Sequence, residues 1–226
     1  SSDLGAFMIP AMMRAFKATA DSSYFHSASK AFDYYYGEFE ELGYTTAGAL
    51  DTWCIDKESS MPLLRSALVL YDTTQEQAYI EKAEKISYYL STWLWHYKAG
   101  YGADEDATRY GYNTFGATSV STQHHHLDVY ALMWVSEWLR LAELSGNDVW
   151  REKAKAIWTN GCQILSDGTL EINGLIRPVG SQNEAFFECA WGGYPEKKRI
   201  NDWLVAWPGA FRLETMRNIS DWGVLN

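Results

Sequence analysis

One pattern limits the fold of this chain more than any other feature: a helix–turn–helix signature that recurs three times. The segments read "AFKATADSSYFHSASKAF", "LVLYDTTQEQAYIEKAEKI" and "LRLAELSGNDVWREKAKAI". Thr19, Thr74 and Ser145 each stand five residues before an aromatic (Tyr24, Tyr79, Trp150), and four residues after each aromatic comes an alanine (Ala28, Ala83, Ala154). Each segment predicts the end of one helix, a tight polar turn and the start of a second helix. The small alanine, one turn beyond the aromatic, suits close helix–helix packing. A hairpin repeated in this way is the signature of a repeating α-helical architecture, so the chain is expected to be all-α.

The flanking residues carry the same period. Leu64, Ala67, Leu68 and Tyr71 make a three-four stripe, as do Leu127, Ala131, Trp134, Val135, Trp138 and Leu141. Pro62 lies in an opening turn, where proline is tolerated and the acidic residues before it suit the helix dipole. Connections inside a hairpin are short, whereas those between hairpins are long and rich in Gly, Thr, Asp and aromatics, which predicts a polar functional rim at one end. "DGTLEINGLIRPVG" (Asp167 to Gly180) breaks the helical pattern and predicts a small β-hairpin insertion. A last helix is expected from about Asn201 to Arg217. The spacings give three hairpins and part of a fourth, within a single domain over 1–226 or part of one. A closed ring of six hairpins at ~50 residues each needs roughly 300 residues, so the ring is incomplete or the chain is a piece of a longer protein.

Composition narrows the partners. The 226 residues suffice for one sizeable core, and 47% apolar with 21% charged residues fits a globular chain. A net charge of -10 argues against nucleic acid, which calls for a basic stripe. No apolar run reaches membrane-span length, and "SSDLGAF" is not a signal peptide; removal of a leader from a secreted or periplasmic protein stays open. Cys54, Cys162 and Cys189 are odd in number and have no metal-type spacing, so free thiols are expected. Aromatics reach 15%, with 11 Trp and 15 Tyr. They can fill wide helix interfaces or line a concave ligand site.

Taken with the hairpin repeat, "GALDTWCIDKES", "SVSTQHHHLDVYALMWV" and "GSQNEAFFECAWG" resemble the six-hairpin (α/α)6-toroid carbohydrate-active proteins, in particular their glycoside-hydrolase-like members. The resemblance spans roughly residues 6 to 217. It implies an α/α toroid whose loops form a sugar-binding funnel at one end. Proteins of this shape include glycoside hydrolases, unsaturated glucuronyl hydrolases, polysaccharide lyases and sugar 2-epimerases, so shape does not choose among them.

Three clusters carry candidate chemistry. In "LDTWCIDKES", Asp51, Asp56 and Glu58 lie where a long loop enters a helix, beside Trp53 and Lys57. Glycoside hydrolysis needs two carboxyl groups, one protonated and one ionised, and an aromatic neighbour helps keep one protonated. Equally, Asp56 can cap the helix and Glu58 can suit its dipole. In "STQHHHLDVY", a helix from near Thr122 would put His124 and Asp128 on one face, turning His125 and His126 progressively away. Three such imidazoles do not readily ligate one metal, and His26 and His96 are the only others, so no metal is expected. Sugar binding or acid–base work by His125 or His126, with Gln123 and Asp128 beside them, competes with a network that merely orders the rim. In "GSQNEAFFECAWGG", Gln182, Asn183 and Glu184 offer hydrogen bonds to hydroxyls, and Phe186, Phe187 and Trp191 offer faces to a sugar ring, unless Ser181 or Asn183 only caps a helix.

Arg177, Arg109 or Lys57 could pair with a uronate carboxylate. No phosphate-binding loop or Gly-x-Ser-x-Gly elbow occurs, and no cofactor is expected. The leading expectation is a glycosidase acting on an oligo- or polysaccharide, with catalytic carboxylates among Asp56, Glu58, Asp128 and Glu184. A lyase or epimerase with a histidine base and a non-catalytic carbohydrate-binding module are the alternatives. The oligomeric state is not legible.

Overall fold

The computed structural model describes residues 3–46, 54–122, 126–187, 199–201 and 204–225. The chain is mostly helical, with small antiparallel sheets. It groups into two compact units: Ser1–Trp93 with Ser121–Gln123 and Arg140–Asn147, and Leu94–Val120 with His124–Leu139 and Asp148–Asn226.

The first unit contains two helical hairpins, α1 (Met8–Thr19) with α2 (Ser22–Leu42) and α3 (Ser60–Thr74) with α4 (Gln77–Thr92). Its core is built from Ile9 and Met13 of α1, Phe32 and Phe39 of α2, Leu64 and Leu68 of α3, and Ile80, Ile86 and Leu90 of α4. The expected stripe on α3 is an underestimate. Leu64, Ala67 and Leu68 are buried, but so are Met61, Leu63 and Leu70, and the helix is covered nearly all round.

One hydrogen-bond device makes every repeat turn. The Thr19 hydroxyl donates to the Ala15 carbonyl (2.8 Å) and accepts from the Asp21 N–H (3.2 Å). Thr74 does the same between Leu70 and Glu76 (3.1 and 3.3 Å), and Ser145 between Leu141 and Asn147 (2.7 and 3.2 Å). The next residue is left-handed each time: Ala20 at φ 58°, Gln75 at 59°, Gly146 at 71°. Its N–H returns to the carbonyl four residues back, which closes the helix end. The repeat's hydroxyl residue is therefore a turn-maker, and Ala28, Ala83 and Ala154 are all fully buried, as close packing demands. Only Gly146 takes the left-handed conformation without a Cβ penalty. Ala20→Gly is expected to raise the unfolding free energy by about 0.5–1 kcal/mol in urea titrations. Gln75→Gly should gain less, because Gln75 Nε2 donates to the Tyr71 carbonyl at 3.0 Å.

The second unit follows from a short α5 (Asp106–Arg109) through β1 (Thr118–Ser119) and β2 (His126–Asp128) to α6 (Val135–Ser145), whose last residues group with the first unit. After α7 (Val149–Gly161) come β3 (Glu171–Ile172), β4 (Leu175–Ile176), β5 (Ala185–Phe187) and α8 (Trp207–Asn218). β3 and β4 form the expected hairpin, turning through Asn173 and Gly174, both at positive φ. Three buried tryptophans, Trp134, Trp138 and Trp150, run in series with centroids 5.7 and 5.5 Å apart.

The helix expected from near Thr122 does not form. Residues 126–128 are the central strand of a three-stranded sheet ordered β1-β2-β5, antiparallel on both sides. A 3-10 turn, Tyr130–Trp134, follows and leads into α6. Two-sided strand pairing overrides the local period here, although Leu127, Ala131, Trp134, Val135, Trp138 and Leu141 are all buried. The final helix likewise starts at Trp207 rather than near Asn201, with Pro208 in its first turn, where a missing N–H costs nothing.

Candidate functional site

In the first unit, Asp56, Lys57 and Glu58 are all buried, as are Ser59, Ser60 and Thr45. Asp56 is pinned through its backbone. Its N–H donates to the Thr45 carbonyl (3.1 Å), and its carbonyl accepts from the Thr45 hydroxyl (2.7 Å) and the Tyr89 hydroxyl (3.0 Å). The Asp56 carboxylate takes the Glu58 N–H, folding the turn that enters α3. Asp56 does not cap α3 itself: the N-cap is Ser59, without a side-chain cap bond, and Asp56 shapes the turn that precedes it. Asp51 and Trp53 lie outside the described residues.

In the second unit, the sheet register sorts the candidate side chains. β2 faces β5 with Leu127 opposite Phe186 and Asp128 opposite Ala185. Side chains alternate along a strand, so Leu127 and Phe186 share one face. With Val129, Glu184, Tyr112, Gln163, Ile164, Gln182, Asn183 and Ile200 they line a small cleft. Phe186 and Tyr112 stack at 4.2 Å to form its aromatic wall. The space it leaves is about 10 Å³, roughly that of one water, so it has room for a single small polar group.

Asp128 belongs to the other face. It is buried, and its Oδ1 accepts from the Thr118 hydroxyl (2.6 Å) and the Tyr130 N–H (3.1 Å), fixing the start of the 3-10 turn. His126, two residues earlier, is likewise a buried strand residue, and its carbonyl accepts from the Val120 N–H. Gln123, His124, His125 and Trp191 lie outside the described residues.

Glu184 is the half-buried acid of the cleft. Burial pushes its carboxyl above the ordinary range, the Trp207 indole N–H on Oε1 (3.3 Å) draws it partly back, and the Asp128 charge raises it again. It stands beside two amides of unlike status. Gln182 is fully engaged. Its Nε2 donates to the carbonyls of Gly161 (3.0 Å) and Gln163 (2.7 Å), and its Oε1 accepts from Arg212 Nη2 (2.6 Å). It braces the cleft. Asn183 donates through Nδ2 to the Asn201 carbonyl, and its buried Oδ1 meets no partner among the described residues.

No family model and no curated protein matches this chain. The geometry above is therefore what bears on its chemistry.

Of the basic candidates, Arg177 is buried away from the cleft lining, its Nη2 on the Ile172 carbonyl at 3.5 Å, and Arg109 pairs with Asp106 at 3.4 Å. Cys54 and Cys162 are free thiols, buried and exposed respectively. Among the described residues, no three His, Cys, Asp or Glu side chains gather as a metal-ligand set, and no helix is long and apolar enough to cross a membrane. Sequence reasoning missed Trp207 and Arg212. Neither signals its role locally, because each reaches its partner through the fold. Two substitutions should move the Glu184 titration in opposite directions. Trp207→Phe removes the donor that lowers it and is expected to raise it, whereas Asp128→Asn removes the charge that raises it and is expected to lower it. Titration of the Glu184 side chain by carbon NMR reads both.

Proposed function

We propose that this chain is a carbohydrate-active enzyme of the glycoside-hydrolase type, built on α/α-toroid hairpins, with Glu184 as its general acid. The observation that carries the reading is the Glu184 carboxyl, raised by burial, at a cleft lined by Asn183 and the stacked Tyr112–Phe186 pair. Cleavage of a glycosidic bond needs an acid that protonates the departing oxygen, and its pKa must be raised for it to hold a proton near neutral pH. Burial shifts Glu184 in that direction, and the Asp128 charge behind the sheet adds to it. The three identical hairpin turns support the toroid, as does the resemblance of "GALDTWCIDKES", "SVSTQHHHLDVYALMWV" and "GSQNEAFFECAWG" to glycoside-hydrolase-like members.

The test is product chemistry on a panel of polysaccharides. Hydrolysis releases reducing ends with no new ultraviolet absorbance, whereas a lyase acting on uronates creates an unsaturated, absorbing sugar. Absorbing products, or no product from any glycan, would remove the hydrolase reading. The second carboxylate such a reaction requires is identified by rescue. An alanine variant of a carboxylate whose turnover returns with added azide marks the nucleophile of a retaining mechanism.

A further inference from the structure

Resting on that reading, we infer that the Asn183–Glu184 cleft is a subsite for a neutral sugar hydroxyl, with Asn183 as its specificity-determining acceptor, and that it discriminates against uronates. The polar groups decide this by elimination. Gln182 has spent both amide hydrogens and its oxygen on Gly161, Gln163 and Arg212. Gln163 accepts the Asn113 N–H at 2.8 Å and donates to the Asn113 carbonyl at 2.9 Å. What remains is the Asn183 Oδ1 and the Glu184 carboxyl.

The Asn183 amide is oriented unambiguously, because the group it meets is the Asn201 carbonyl, which can only accept. Its nitrogen must point there, and the oxygen is left buried, lining the cleft, with no partner among the described residues. A buried acceptor left unpaired is costly, and a ligand that donates to it removes that cost. Beside it stands the Glu184 carboxyl, which has an acceptor oxygen in either protonation state. The complementary group must donate to the Asn183 oxygen, which a hydroxyl does. An ammonium only donates and a carboxylate only accepts. A carboxylate would meet the Asn183 oxygen and the Glu184 carboxyl, with no Lys or Arg among the described lining residues. Leu127, Val129 and Ile200 leave the remaining wall apolar, for C–H groups.

The experiment is calorimetric titration of the full chain with paired trisaccharides that differ only in oxidation at C6: cellotriose, mannotriose and galactotriose against the corresponding triuronates. At least one neutral member should bind at least about tenfold more tightly than its uronate partner. Asn183→Ala, checked by circular dichroism for native helicity, should weaken that neutral ligand roughly five- to tenfold, the worth of one hydrogen bond. A uronate that binds as tightly as its neutral partner overturns the inference, and so does Asn183→Ala binding unchanged or no binding by either class. The wild-type comparison stands even if the alanine variant does not fold. Neutral binding without turnover by the intact protein defeats the hydrolase reading alone. Turnover confined to uronate chains defeats this inference alone.

Discussion

Glu184→Gln is expected to lower turnover by about 10² to 10⁴, the range that a positioned general acid contributes, while leaving binding in place. The amide is isosteric and can still accept from the Trp207 indole, so the loss reports the proton and not the packing. In the wild type, activity should fall as pH rises through the raised Glu184 pKa, and Glu184→Gln should lose that limb. Stability carries the same signature with a definite sign. The folded pKa lies above the unfolded value of about 4.3, so folding favours the protonated group. Its contribution is complete below the unfolded value and is lost as pH climbs through the folded one. Urea unfolding across that window should show the wild type losing stability relative to Glu184→Gln. Parallel pH profiles for the two proteins would mean that Glu184 is not the perturbed acid.

Gly116→Ala should be the most destabilising single-atom addition in the second unit. Gly116 holds φ at 87°, which penalises an L side chain by about 1–2 kcal/mol. An added Cβ would overlap the Ala156 carbonyl oxygen and lie 2.6 Å from its carbon, both backbone atoms of α7 that cannot rotate away. Overpacking of this kind costs about 1–3 kcal/mol more. The loop is also tied to that helix through Asn160, whose Nδ2 donates to the carbonyls of Asn113 (2.8 Å) and Phe115 (3.1 Å) and whose Oδ1 accepts from the Tyr112 hydroxyl (3.2 Å). Pushing the loop off α7 therefore strains these bonds and the Tyr112 wall of the cleft together. A drop of about 3–4 kcal/mol, or roughly 10 °C in Tm, is expected by thermal unfolding. A change within 2 °C would show that the loop yields.

The hairpins were legible because their information is local. A hydroxyl residue, a left-handed position and an alanine one helical turn past an aromatic all act within about ten residues. The burial of Leu127 through Leu141 was legible too, but not the conformation that buries it. β2 is a strand only because β1 and β5 flank it, and β5 lies some sixty residues away in sequence. The cleft was half legible. Glu184 and Asn183 stood out as polar residues among aromatics, yet nothing local separates the engaged Gln182 from the open Asn183. That difference is set by Arg212, Gly161 and Asn201, none of them close in sequence. Asp56 shows another limit: both its roles were visible, but not the Thr45 and Tyr89 hydroxyls that hold its backbone carbonyl from distant positions.

The repeated hydroxyl turn also has a kinetic meaning. Each one is closed by bonds spanning no more than four residues, so a hairpin can fold as soon as its own segment is free, at little loop-closure cost. The sheet cannot. Its middle strand waits for residues 185–187, so the edge that carries Glu184 is assembled after the local hairpins. Under mild denaturation, or during synthesis, helicity should come first and the acid's position last, and amide protection at Leu127 and Phe186 should be the first to disappear on unfolding.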